Sequence, residues 1–115
     1  MEVERNAARL AENQAVFREI NERIKDLNHD LNTITGLLGS WTCECFQIGC
    51  IERIEMTMRE YEALRQRATW FVVAPDDAHV NPEIERVVER RRRYWVVAKG
   101  GEVGERVAAL DPRSR

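Results

Sequence analysis

Cys43, Cys45 and Cys50 are the only cysteines of this 115-residue chain. They share one short stretch, Cys43-Glu-Cys45-Phe-Gln-Ile-Gly-Cys50, with the spacing C-x-C-x4-C. Three chemistries are open to such thiols. They can supply several of the four ligands of a tetrahedral zinc without closing a long loop. They can form disulfides, although an odd count leaves one thiol over. They can also serve as small buried apolar side chains. The clustering favours a structural zinc (Zn2+) site, although C-x-C is tighter than the C-x2-4-C spacing of most zinc knuckles. Gly49 beside Cys50 suits a tight metal-binding turn.

A zinc site needs a fourth ligand, and the chain has two histidines. His29 falls in a helical stretch well before the cysteines. His79 falls in the loop Pro75-Asp76-Asp77-Ala78-His79, which can bend a side chain back onto the thiols. His79 is therefore the preferred ligand; Asp76, Asp77 or water are the alternatives, and a solvated loop histidine is the plain reading. A closed Cys3His set leaves no open position for water, which argues against metal catalysis. The chain has no nucleophile motif, Gly-rich phosphate loop or H-E-x-x-H.

The elements that must position these residues differ on the two sides of the cluster. Residues 1–38 read as one long amphipathic helix. With heptad position a at Leu10, Phe17, Ile24, Leu31 and Leu38, position d falls on Asn13, Ile20, Leu27 and Ile34. That period of 3.5 is the seam of a coiled coil. The stripe is narrow, which suits a partner helix and predicts a homodimer through Leu10, Phe17, Ile20, Ile24, Leu27, Leu31, Ile34 and Leu38. The alternative is a helix folded back on its own domain.

Residues 39–104 read as a small zinc-binding module. Trp41-Thr-Cys43 leads into the cysteines as a strand, and Ile51 to Met56 leaves them extended. Thr57-Met-Arg-Glu60 is a capping box opening a helix that runs to about Gln66. Trp70-Phe-Val-Val-Ala74 is a strand stopped by Pro75. Ile84–Glu89 and Tyr94–Lys99 form a hairpin through Arg90–Arg93, although Asn81-Pro82-Glu83 also resembles a helix start. Residues 105–115 read as a helical turn and a flexible tail. The fold class is thus α+β.

Apolar residues make up 43% and charged residues 33%, with a net charge of −2, so no overall field draws the chain to nucleic acid or anionic lipid. A core this small gains from a metal or from oligomerisation. No apolar run approaches the length of a transmembrane helix and no secretory signal opens the chain, so free clustered thiols point to a cytoplasmic protein. Arg90, Arg91, Arg92 and Arg93 are the one basic cluster. With Tyr94 and Trp95 adjacent they could contact phosphates and stack on bases, or they are a charged hairpin tip offset by Glu83, Glu85 and Glu89.

The order of motifs resembles a family of short uncharacterised proteins of actinobacteria and related soil bacteria. The resemblance is carried by Asn21-Glu-Arg-Ile24, Cys43-Glu-Cys45, Cys50, Ile54-Glu-Met-Thr57, Glu60-Tyr-Glu62, Phe71-Val-Val-Ala-Pro75 and Tyr94-Trp-Val-Val97. It covers most of the chain and implies an N-terminal helix followed by a cysteine-bearing α+β module. It implies no activity. Two departures are Asp76-Asp77-Ala78 before the histidine, where the family has proline-glycine-histidine, and Arg91–Arg93 in place of a turn with aspartate and glycine.

The leading expectation is a non-enzymatic, zinc-stabilised module that self-associates and presents a surface to a protein partner. A nucleic-acid-binding regulator using Arg90–Arg93 and a small zinc-dependent enzyme are the alternatives.

Overall fold

The computed structural model describes the backbone of residues 2–35, 38–47 and 49–114, and the side chains of residues 8–27, 38–47 and 49–113. Helix α1 (Glu2–Thr35) is followed by β1 (Leu38–Thr42), β2 (Arg53–Thr57), α2 (Met58–Leu64), β3 (Trp70–Val73), β4 (Glu85–Arg90), β5 (Trp95–Lys99) and α3 (Gly101–Ala109). β1 and β2 form an antiparallel pair, and β3, β5 and β4 form an antiparallel sheet in that order. The fold is mixed α+β.

Each element follows from its residues. In β2, Ile54 and Met56 are buried while Arg53 and Glu55 are exposed, the period-2 alternation of a half-buried strand. The Thr57 hydroxyl accepts from Glu60 N at 3.1 Å, and the Glu60 carboxylate accepts from Thr57 N at 2.9 Å, so the capping box opens α2. In β3 and β5, Phe71, Val72, Val73, Val96 and Val97 are all buried, so both faces of the sheet are covered there, which suits their β-branched and aromatic side chains. Trp41 stacks on Tyr61 at 4.2 Å between ring centroids and donates to Met56 O, which ties the β1–β2 pair to α2. The 84–89 region is a strand, not a helix start, with a bulge between Val87 and Glu89 in its pairing to β5.

Three expectations are corrected. Leu38 does not continue a helical seam: α1 ends at Thr35, and Leu38 opens β1 opposite Thr57. Of the expected 105–115 tail, residues 105–113 are not loose. Helix α3 runs on to Ala109 and buries Val103 and Val107, and Asp111 beyond it is buried against Arg65.

The third correction concerns α1, which lies on its own head. Its buried face is Ala11, Gln14, Phe17, Arg18 and Asn21, a largely polar set. Gln14 donates to Glu85, which is itself ion-paired with Lys99. Arg18 donates to Ala68 O at 2.8 Å and to Trp70 O, and its guanidinium lies 3.6 Å over the Phe71 ring. Of the expected seam, Phe17 is therefore taken up within the chain, and Leu10 and Ile24 are half-buried. Ile20 and Leu27 face outward, 40% and 85% exposed, with Val16 at 48% beside them. The side chains of Leu31 and Ile34 lie outside the described residues.

Candidate metal centre

Cys43 and Cys45 continue from β1 into a segment whose described residues form no helix or strand. Backbone bonds fix it: Cys43 N to Glu52 O at 3.2 Å, Glu44 N to Val72 O at 2.7 Å and Cys50 N to Gln47 O at 3.0 Å. Asp77–His79 is a short 3-10 turn whose start is capped by Asp76, the carboxylate accepting from Ala78 N at 2.8 Å. Gln47 donates across to Ala78 O at 2.6 Å and clips the two ligand-bearing loops together.

These constraints bring Cys43, Cys45, Cys50 and His79 to one point. Their ligand atoms all lie within 4.8 Å of one another. His79 Nδ1 is 3.7 Å from Cys43 Sγ and 3.6 Å from Cys50 Sγ. Cys43 and Cys45 are fully buried, while Cys50 and His79 are half-buried at the rim. All three cysteines are free, so disulfide pairing is not what holds the loop. The cluster could hold a metal ion. Asp76 and Asp77 are exposed and outside it, and the His29 side chain lies outside the described residues. Gly49 does not adopt a positive φ and has open space where a side chain would stand, so no tight backbone approach requires it.

The charge state of the thiols points the same way. The hydrogen bond from Cys43, opposed by burial, pushes the Cys45 thiol down to about 5, with His79 assisting. The same bond and burial push Cys43 up, and burial pushes Cys50 up. Three thiolates this close cannot all ionise without a cation among them. A metal ion bound there would supply that charge, and the Ala74 N–H, donating to Cys43 Sγ at 3.3 Å, would orient one of the sulfurs.

Sequence reasoning missed Glu44, between two of the cysteines. It is fully buried; it accepts from Asn21 Nδ2 at 2.8 Å and Val72 N at 3.1 Å, and faces Arg18 at 3.5 Å. The only available signal was an acid flanked by two candidate ligands, which does not distinguish a buried carboxylate from a solvated one.

The structure does not bring the arginine run to the centre. Arg90 lies over the Trp95 ring at 5.0 Å, Arg91 pairs with Glu89 at 3.2 Å, and Arg93 donates to Glu55 O at 2.8 Å and to Glu60. A cleft of about 1150 Å3 opens between α1, α3 and the end of the three-stranded sheet, and none of the four clustered residues lines it. Among the described residues, no helix is long and apolar enough to cross a membrane.

The site is a cluster of three cysteines and one histidine whose four candidate ligand atoms converge and could hold a metal ion. No protein-family model, curated protein or solved structure matches this chain.

Proposed function

We propose that Cys43, Cys45, Cys50 and His79 hold one structural zinc ion, and that the chain is a non-enzymatic, self-associating interaction module. The observation that carries the reading is the shape of the cluster. Zinc binds sulfur at about 2.3 Å and histidine nitrogen at about 2.0–2.1 Å in a tetrahedron. Those lengths place a sulfur and a nitrogen on one zinc about 3.6 Å apart. The distances from His79 Nδ1 to Cys50 and Cys43 are 3.6 and 3.7 Å. With four protein ligands the tetrahedron is closed, and no position remains for a reacting water. Free thiols held for a metal suit a reducing, cytoplasmic setting.

Self-association is assigned to Val16, Ile20 and Leu27, which stand four and seven residues apart on the outward side of α1. Leu31 and Ile34 extend the spacing in sequence. The occupant we assign to this stripe is the same stripe of a second copy, since the apolar period of 3.5 is that of paired helices. The arginine tip has local acidic and aromatic partners, so nucleic acid has no place in this reading.

The test is elemental analysis of protein purified without chelator. One zinc per chain is expected, and Cys45→Ser should lose it and melt at a lower temperature, because metal-binding free energy adds to folding free energy. A folded protein that carries no metal as purified and takes up none would refute the reading.

A further inference from the structure

Asn21, a fully buried polar side chain of α1, ends on the segment that carries the first two cysteines. Asn21 and Thr42 exchange two hydrogen bonds: Thr42 N donates to Asn21 Oδ1 at 2.8 Å, and Asn21 Nδ2 donates to Thr42 O at 2.9 Å. Asn21 Nδ2 also donates to Glu44 at 2.8 Å, and Arg18 faces the same carboxylate. Thr42 and Glu44 flank Cys43, and Glu44 lies directly between Cys43 and Cys45. All of these side chains are buried. We propose that Glu44 and Asn21 couple metal binding to the docking of α1, so that the loaded protein holds the helix on its head and the metal-free protein releases it.

The inference rests on reading the cysteine–histidine cluster as a metal centre. Its physical basis is that the described residues between β1 and β2 form no helix or strand. Ligand bonds at Cys43, Cys45 and Cys50 would cross-link that segment to itself and to His79. Without them, Glu44 keeps its bonds to Val72 but loses the cross-links on either side, and its carboxylate can shift. Arg18 then loses its ion pair with Glu44 at full burial, and Asn21 loses the Glu44 carboxylate as an acceptor. A buried charge or amide left unpaired is costly, and undocking returns both to water. Coupling of this kind is reciprocal: whatever metal does for docking, docking does for metal affinity.

The consequence is a choice of surfaces. Docked, α1 presents Val16, Ile20 and Leu27 and hides Phe17. Released, it offers Leu10, Phe17, Ile20, Ile24 and Leu27 as one heptad seam to a second copy.

The experiment uses the full chain, zinc-loaded and chelator-stripped, after zinc stoichiometry is measured. A wild type that takes up no zinc defeats the metal reading itself, before coupling is tested. Residue-resolved amide exchange then reads docking, because the acceptor for the Thr42 amide is a side chain of α1. Stripping should speed exchange of Thr42 and of α1 residues 11–24 by about ten- to a hundredfold, while Val96 in the central strand stays protected. In competition with a chromophoric chelator, Asn21→Ala should bind zinc more weakly by about the same factor although it touches no thiol. Gln14→Ala, on the same buried face but bonded to Glu85, should bind zinc like wild type. Unchanged protection of Thr42 on stripping, or wild-type zinc affinity in Asn21→Ala, overturns the proposal. So does loss of Val96 protection along with Thr42, since the metal would then hold the whole fold and not the helix in particular.

Discussion

Arg65 and Asp111 form a buried, two-pronged ion pair. Arg65 Nη1 and Nη2 donate to the two carboxylate oxygens at 3.1 and 2.5 Å, and the side chains are 0% and 5% exposed. Asp111 also accepts from Arg113 N at 2.9 Å, and Arg113 reaches on to Glu22 in α1 and Glu62 in α2. The end of the chain is thus a strap joining α1 and α2. Removing one partner of such a pair leaves the other charge buried and costs about 3–5 kcal/mol. Because Glu22 stays near Arg65 at 3.4 Å, Asp111→Ala should fall at the low end, about 3 kcal/mol. Urea unfolding measures it, and a loss under about 1 kcal/mol would mean the strap is ornamental.

The same strap makes the fold acid-sensitive. Burial pushes the Glu22 carboxyl up, but hydrogen bonds from Arg113 and Tyr61 outweigh it and hold the group at about 2, against a usual 4.5. Asp111 is likewise held low, Arg65 overcoming the effect of burial. A carboxylate with a depressed folded pKa gives stability that is present above its unfolded value and is lost as pH falls through the folded one. The Glu22 contribution should therefore be whole above about pH 5 and decline from 4.5 towards 2. Acid also frees metal from thiolates, so the readout is the difference between wild type and Glu22→Gln in urea titrations at each pH. That difference should shrink below pH 4.5. A difference constant over the whole range would show that Glu22 does not titrate with folding.

Leu27 tests assembly without disturbing the head. At 85% exposure it contributes little to the core, so Leu27→Asp should leave thermal stability within about 0.5 kcal/mol of wild type. In a paired helix the same aspartate is buried without a partner and should abolish the dimer. Sedimentation at high concentration reads the mass of both proteins. A wild type that stays monomeric removes self-association from the proposed function.

What the sequence disclosed and what it hid divide along a physical line. Local chemistry was legible: the capping box at Thr57 and Glu60, the β-branched run at Tyr94-Trp-Val-Val97, and three thiols too close to be independent. His79 could be chosen over His29 because a loop can reach where a helix cannot. Helix α1 misled because periodicity registers apolar residues, and this helix docks through Gln14, Arg18 and Asn21. Their partners lie far along the chain, Trp70 for Arg18 and Glu85 for Gln14, and no spacing rule connects them. The fate of Asp111 was hidden for the same reason: a charged residue near a terminus reads as frayed until its arginine, 46 positions earlier, is seen.

Gly104 sets two effects of known sign against each other. It lies inside α3, where alanine is favoured over glycine by about 1 kcal/mol through backbone entropy. A methyl group there would stand 2.9 Å from the Lys99 carbonyl oxygen and 3.3 Å from its carbon, and both are backbone atoms at the end of β5. Neither can swing aside as a side chain would, so α3 must slide off the strand or β5 must bend. Forcing a methyl group into a packed contact costs about 1–3 kcal/mol. The clash should win, and Gly104→Ala should lower stability by about 1 kcal/mol after the helical gain is subtracted. Gly49→Ala is the control, since nothing lies within 4 Å of the added methyl and the backbone there is not left-handed. It should melt like wild type and bind the proposed metal as wild type does, although it adjoins Cys50. If Gly104→Ala is the more stable protein in urea unfolding, the seat of α3 against β5 is looser than these distances describe.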